Sequence, residues 1–277
     1  MIIGSLASID TPPAPPHGFP APDTSIFDYT KSCLVGGGPF CLTKISLLMI
    51  LSAVIIVALF VIGARKRQVV PRGSQNLVEA FVDMVRGSIV LEVMGPAGLP
   101  FLPFLTALFI FIWLNNSWGI IPFAQIPTTS RMAVPAFLSA LVWVVFNVVG
   151  IVKQGGWHYL KGILFPSGVP WYIYPLVTPI ELVSTFLVRP LTLAVRLAAN
   201  MIAGHLILTI FAVGTWYLAS HFAIASGFGK AVGVFAIPAF ALEVAMTAFE
   251  VLVAFLQAYI FTILTAVYIS GAMSSEH

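Results

Sequence analysis

Three stretches of this chain, 45–64, 101–121 and 133–152, run for about twenty residues each without a single Lys, Arg, Asp, Glu or His. At 1.5 Å rise per residue, about 20 apolar residues cross a hydrocarbon core roughly 30 Å thick, so each stretch reads as a membrane span. Two further apolar stretches, 171–215 and 231–270, carry charges and are too long for one perpendicular crossing. As continuous helices they would run about 68 and 60 Å, and they are therefore expected to be steeply tilted, broken or re-entrant. Composition agrees: only 8% of the 277 residues are charged and 59% are hydrophobic, whereas an ordinary soluble domain carries about 25% charge. A water-soluble fold is excluded. The net charge of +3 would point to nucleic acid only if Lys and Arg gathered on a wettable surface, and here they are dispersed between apolar runs.

Orientation follows from the basic residues, because Lys and Arg beside a span are retained on the cytoplasmic side. Arg65, Lys66, Arg67 and Arg72 follow the first span, which puts the N-terminus outside and 65–95 inside. Lys153 and Lys161 return to the inside after the hairpin, and the last two segments bring the C-terminus back to the cytoplasm. Arg131 and Lys230 fall in outer loops against the rule. Residues 1–43 are Pro-rich and polar, a poor helix and a poor signal peptide, and read as an extended outer arm. Segment 75–92 differs again. Leu77, Phe81, Val82, Val85 and Ile89 share one face while Glu79, Asp83 and Arg86 point elsewhere, the pattern of an amphipathic helix lying along the cytoplasmic interface.

The expected fold class is an all-α integral membrane protein with three ordinary spans, this interfacial helix and a long, steeply tilted C-terminal helical hairpin. Its expected parts are the outer arm 1–43, a first span 44–64, a cytoplasmic linker and amphipathic helix 65–98, a transmembrane hairpin 99–152, a cytoplasmic loop 153–170, and the long helix pair 171–277.

No hydrolytic or nucleotide-binding set is present in the sequence. Gly227-Phe228-Gly229-Lys230 imitates a P-loop, but the upstream Gly is missing and Ala231 stands where Ser or Thr is needed. His17, His158, His205, His221 and His277 are scattered, with no zinc spacing, so neither a metal nor a cofactor is expected. What remains is a sparse set of ionisable groups inside apolar helices, each costing at least about 2.5 to 3.5 kcal/mol at the bilayer centre. They are Glu181, Arg189, Arg196 and His205 in the first long segment, and Glu243 and Glu250, with neutral Gln257, in the second.

At 100° per residue, Arg196 and Asn200 lie about 40° apart, whereas His205 falls about 180° from Arg196. Glu243, Glu250 and Gln257 repeat every seven residues and form one polar stripe, stepping about 20° each time, a plausible proton wire or the lining of a wet crevice. The bland readings are an Arg196–Glu250 ion pair, a buried neutral His205, a solvated Glu243, and Glu181 and Arg189 snorkelling to the interface.

LTLAVRLAANMIAGHLIL, residues 191–208, together with FEVLVAFLQAYIFTILTAVYI, residues 249–269, resembles the signature of subunit a of the membrane sector of F-type rotary ATP synthases. The resemblance implies that Arg196 is the stator arginine facing the carboxylates of a rotating c-ring, with Asn200 and Gln257 as polar neighbours along that interface. It implies that His205 and Glu250 belong to the half-channel admitting protons from the outer side. In some bacterial members the acid and the histidine stand the other way round; here the histidine precedes the acid, as in mitochondrial members. Glu243 extends the polar stripe, and Glu181 and Arg189 are candidates for the cytoplasmic mouth.

The partners so implied are the c-ring, b-type peripheral-stalk subunits and the lipid bilayer, with protons as the transported species and no nucleic acid or directly bound nucleotide. The subunit would have no catalytic site of its own. A bacterial plasma membrane is favoured over the mitochondrial inner membrane, because no Arg-rich, Ser-rich transit segment is visible. The rival readings are a secondary ion-coupled transporter, which should show an inverted repeat, and a structural subunit of another respiratory membrane complex, whose buried charges merely pair.

Cys33 and Cys41 flank Gly36-Gly37-Gly38-Pro39 in the outer arm, where a compartment that permits disulfides would allow a bridge. Two inert thiols near the membrane surface are the other reading. A bridge requires Cα atoms within about 7 Å and predicts that alkylation without reductant leaves both cysteines unmodified; quantitative labelling of both would remove it.

Overall fold

The computed structural model describes residues 33–35, 42–65, 73–121, 128–164, 171–224 and 233–273. Cys41 and Lys230 fall outside them, so the Cys33–Cys41 pairing and the Lys230 position lie outside the described residues. A short antiparallel hairpin, β1 (Cys33–Val35) and β2 (Leu42–Thr43), sets Cys33 opposite Thr43. Helix α1 (Lys44–Arg65) follows at once. Thr43 marks its start, since the Ser46 hydroxyl donates to the Thr43 carbonyl at 2.8 Å. Its surface carries exposed Leu47, Ile50, Val54, Val57 and Ile62, which suits lipid tails and not water.

The next helical run contains the segment with the amphipathic pattern. Here α2 (Ser74–Val85) continues through a π-helical stretch, Arg86–Met94, and a 3-10 stretch, Gly95–Phe101, into α3 (Leu102–Ser117). The whole segment from Gln75 to Ser117 is apolar enough to count as one membrane-length unit. The expected apolar face is inward-facing at its centre. Val85, Ile89 and Val90 are completely buried, Phe81 packs its ring 5.3 Å from Trp113, and Leu77 at the start remains 49% exposed. The expected polar residues Glu79, Asp83 and Arg86 are exposed.

Local chemistry explains the change of helix type. Gly95 takes φ 64, a conformation other residues avoid. Pro96, Pro100 and Pro103 supply no backbone N–H to the ladder. Two carbonyls of the π-helical stretch, Ser88 and Val93, accept hydroxyls from Tyr259 and Ser270 of the last helix, each at 3.3 Å.

Past α3, a 3-10 turn (Thr128–Ser130) is clasped onto the helix end. Thr128 donates to Asn115 Oδ1 and Thr129 to Asn116 Oδ1, both at 2.7 Å and all buried. Helix α4 (Ala133–Gln154) ends at Gly155, and α5 (Gly156–Leu164) packs back against it. After a 3-10 turn (Trp171–Ile173) come α6 (Tyr174–Val183), a π-helical turn (Ser184–Val188) and α7 (Arg189–Ile224). Of the three ways to accommodate the long segment 171–215, the helix thus shows a change of winding between Glu181 and Arg189. Helix α8 (Ala236–Met273) has no such interruption. Among the described residues, five helical segments are long and apolar enough to cross a membrane, in line with the expected multi-helix membrane fold.

The chain divides into two compact units. In the unit spanning Tyr29–Ala203 and Glu250–His277, the core joins Val85, Ile89, Leu105, Phe109, Phe146, Leu193, Leu197, Phe261 and Ile269. Phe255 packs edge-on to Phe109 at 5.4 Å and to Trp113 at 6.2 Å. Hydroxyls inside these helices return to the carbonyl four residues back, as Ser52 does to Leu48 at 2.9 Å and Thr262 to Ala258 at 2.8 Å, which satisfies them without water. Ser52 also accepts the Trp118 indole N–H at 2.7 Å. The unit spanning Gly204–Phe249 holds the later part of α7 and the first part of α8; there Thr209 and Thr247 bond the carbonyls of His205 and Glu243.

Tyr159 anchors α5 on α4. Its ring lies so close to Gly150 that a Cβ there would stand 2.3 Å from a ring carbon, and its hydroxyl donates to Asn147 Oδ1 at 3.3 Å. Gly150→Ala should therefore displace the ring and destabilise the detergent-solubilised protein by about 1–3 kcal/mol. In a Tyr159→Leu background the same substitution should cost less than half as much, a coupling that a double-mutant cycle on thermal midpoints reads directly.

Candidate functional site

Helix α7 is two-sided around Arg196. Leu193, Ala194, Leu197, Ala198 and Met201 are buried, whereas Leu191, Val195, Arg196 and Ala199 are exposed. The small residues beside Arg196 divide between these two sides. Ala194 and Ala198 face inward and serve packing within the unit; Ala199 and Ala203 are exposed on the side of the guanidinium. Asn200, one turn on, is half-buried. Among the described residues Arg196 has no ion pair; the salt bridge found there belongs to Arg189. The bland reading of an Arg196–Glu250 pair is therefore not realised.

On α8, Glu250 is 7% exposed and Gln257 5%, and both lie on the side that buries Ala254, Ala258, Phe261 and Thr265. The sequence stripe is thus a buried stripe at these two positions. Gln257 Nε2 is enclosed without a hydrogen-bond partner among the described residues, and no ion pair reaches the Glu250 carboxyl among them. A carboxyl offers a donor when protonated and only acceptors when ionised. In the other unit, Glu243 and His205 are each half-buried.

Glu181 and Arg189 come together across the π-helical turn, with Nη2 to Oε1 at 3.9 Å, and both are about one-third exposed. Arg189 also stacks over the Tyr268 ring, 5.5 Å from its centroid. Phe186, three residues before Arg189, meets the Trp143 ring edge-on at 5.9 Å. Beyond the spans, burial pushes the Tyr159 phenol above its usual range, and the Arg189 charge opposes that shift. Tyr268 and Tyr159 carry no sequence signal of such roles, because an aromatic residue in an apolar helix looks like any core residue. Among the described residues, no three of His, Cys, Asp and Glu gather to hold a metal ion.

The chain is 42% identical to ATP synthase subunit a of Rhodococcus erythropolis over 93% of its own length and 92% of that protein's. It is also 42% identical to ATP synthase subunit a of a Parafrankia strain, over 94% of this chain and 86% of the relative. Against ATP synthase subunit a of Maricaulis maris it is 39% identical over 85% of this chain and 90% of the relative. Residues 46–270 match the family described as ATP synthase A chain, and the chain belongs to that family.

Proposed function

We propose that this chain is the proton-translocating stator subunit of an F-type ATP synthase, offering two offset half-channels and a fixed arginine to a ring of rotor carboxylates. One observation carries the reading: Arg196 is exposed on a membrane-length helix, flanked by exposed Leu191 and Val195, and has no acidic partner among the described residues. A guanidinium is a permanent positive charge in proteins. On an apolar outer face such a charge calls for a counter-charge from a second chain. A rotor carboxylate supplies it, and Ala199 and Ala203 leave room for a close approach.

Two opposite charges 4 Å apart attract by about 4 kcal/mol at an effective dielectric of 20, enough to draw the proton off an arriving carboxylic acid. Arg196 also repels a proton running straight between the half-channels, a leak that would dissipate about 2.3 kcal/mol per 100 mV. Asn200 and Gln257 are assigned as its polar neighbours, and Glu250, His205 and Glu243 to the half-channel on the outer side. The Glu181–Arg189 pair is assigned to the cytoplasmic mouth. The subunit works with the c-ring and the b-type peripheral stalk in a bacterial plasma membrane, with its N-terminus outside and its C-terminus in the cytoplasm.

Arg196→Ala should abolish ATP-driven proton pumping and proton-driven synthesis while the subunit still inserts and assembles. Without its counter-charge the rotor carboxyl keeps its proton, and vesicles holding the variant should leak passively. Arg196→Lys should rescue poorly, because an ammonium is a point charge whose pKa drops on burial. Reconstitution with matched protein amounts, reading pumping in one direction and leak in the other, checks both; coupled pumping by the Ala variant would refute the assignment.

A second expectation concerns the acid and the histidine. If His205 and Glu250 share one proton-handling task, the double exchange His205→Glu with Glu250→His should retain more pumping than either single change. Pumping by the exchanged variant no better than by the worse single variant counts against a shared task.

A further inference from the structure

We propose that α5 is a docking site for an anionic phospholipid headgroup on the bilayer leaflet it meets. The helix joins two segments long and apolar enough to cross the membrane, Ala133–Gln154 and Tyr174–Ser220, and is itself only nine residues long. It must therefore lie at a membrane surface. Its inner side is pinned by Tyr159 against Gly150 and by the Thr178 hydroxyl, which donates to the Leu164 carbonyl at 2.7 Å. Its outer side brings Trp157, Leu160, Lys161 and Leu164 together around a cleft of about 220 Å³.

Trp157 is 83% exposed, an arrangement costly in water and favoured at headgroup level, where an indole has one apolar and one wet side. Lys161 lies one turn after it on α5, and Lys153 stands in the last turn of α4, just before the Gly155 bend; both are exposed. No Asp or Glu occurs between Glu92 and Glu181, and Glu181 is engaged with Arg189. The patch is thus positive with no carboxylate on α4 or α5 to neutralise it, and a phosphodiester is the complementary charge. An acidic protein segment would satisfy the lysines but has no need of an exposed indole at bilayer depth; lipid satisfies both.

The test uses the full chain in nanodiscs of phosphatidylcholine with phosphatidylglycerol, and photoactivatable versions of each lipid as probes. The phosphatidylglycerol probe should label the peptide containing Trp157 and Lys161 in preference to the phosphatidylcholine probe. Lys153→Gln with Lys161→Gln should lower that preference by up to about 30-fold, from two lysines near an anionic surface. Lys153→Arg with Lys161→Arg should keep it, and raised salt should weaken it. Equal labelling by the two probes in the unaltered chain overturns the proposal. So does cross-linking of position 157 to another protein subunit in the assembled complex with the lipid probe excluded.

Discussion

In hydrocarbon every backbone N–H and C=O must be bonded within the protein, and the architecture follows from that requirement. It explains why membrane-length segments here are helices even where the winding changes. At Arg86–Met94 the ladder slips into π-helical form, and hydroxyls from Tyr259 and Ser270 reach the Ser88 and Val93 carbonyls. The two donors sit eleven residues apart on α8, close to three full turns, so one face of a single helix serves both. The Asn115–Thr128 and Asn116–Thr129 clasps do the same work at the end of α3. The hydrophobic effect contributes little between elements that already face lipid; close packing and hydrogen bonds hold them instead.

The same low-dielectric surroundings make charge scarce and place it where it acts. Each ionisable group inside a span costs several kcal/mol unless it meets a partner or water. Arg189 meets Glu181 and the face of Tyr268, a structural solution within one chain. Arg196 has none among the described residues and stands on an exposed side. The contrast between two arginines seven residues apart on one helix separates an internally satisfied charge from one presented outward.

Much of this was legible beforehand. The uncharged runs announced α1, α3 and α4, because nothing but a helix of that length and composition suits lipid. The residues at 196, 200, 204 and 205 with 250 and 257 carried the resemblance to the family that the whole-chain comparison bears out. The packing of segment 75–92 was not legible. Its amphipathic periodicity is real, yet an apolar face meets lipid or protein equally well as far as periodicity goes, and here Val85 and Ile89 meet protein.

The sequence by itself determined the class, the number of membrane-length segments and the identity of the few groups able to carry charge, since these depend on transfer cost and helix rise, which are local properties. Only the tertiary structure decided which side of each helix those groups occupy. It turned Arg196 outward and Glu250 and Gln257 inward, divided Ala194 and Ala198 from Ala199 and Ala203, and joined Glu181 to Arg189 across a π-helical turn. In a helix apolar on every side, composition contains no information about which face will be packed; the neighbouring helices choose it.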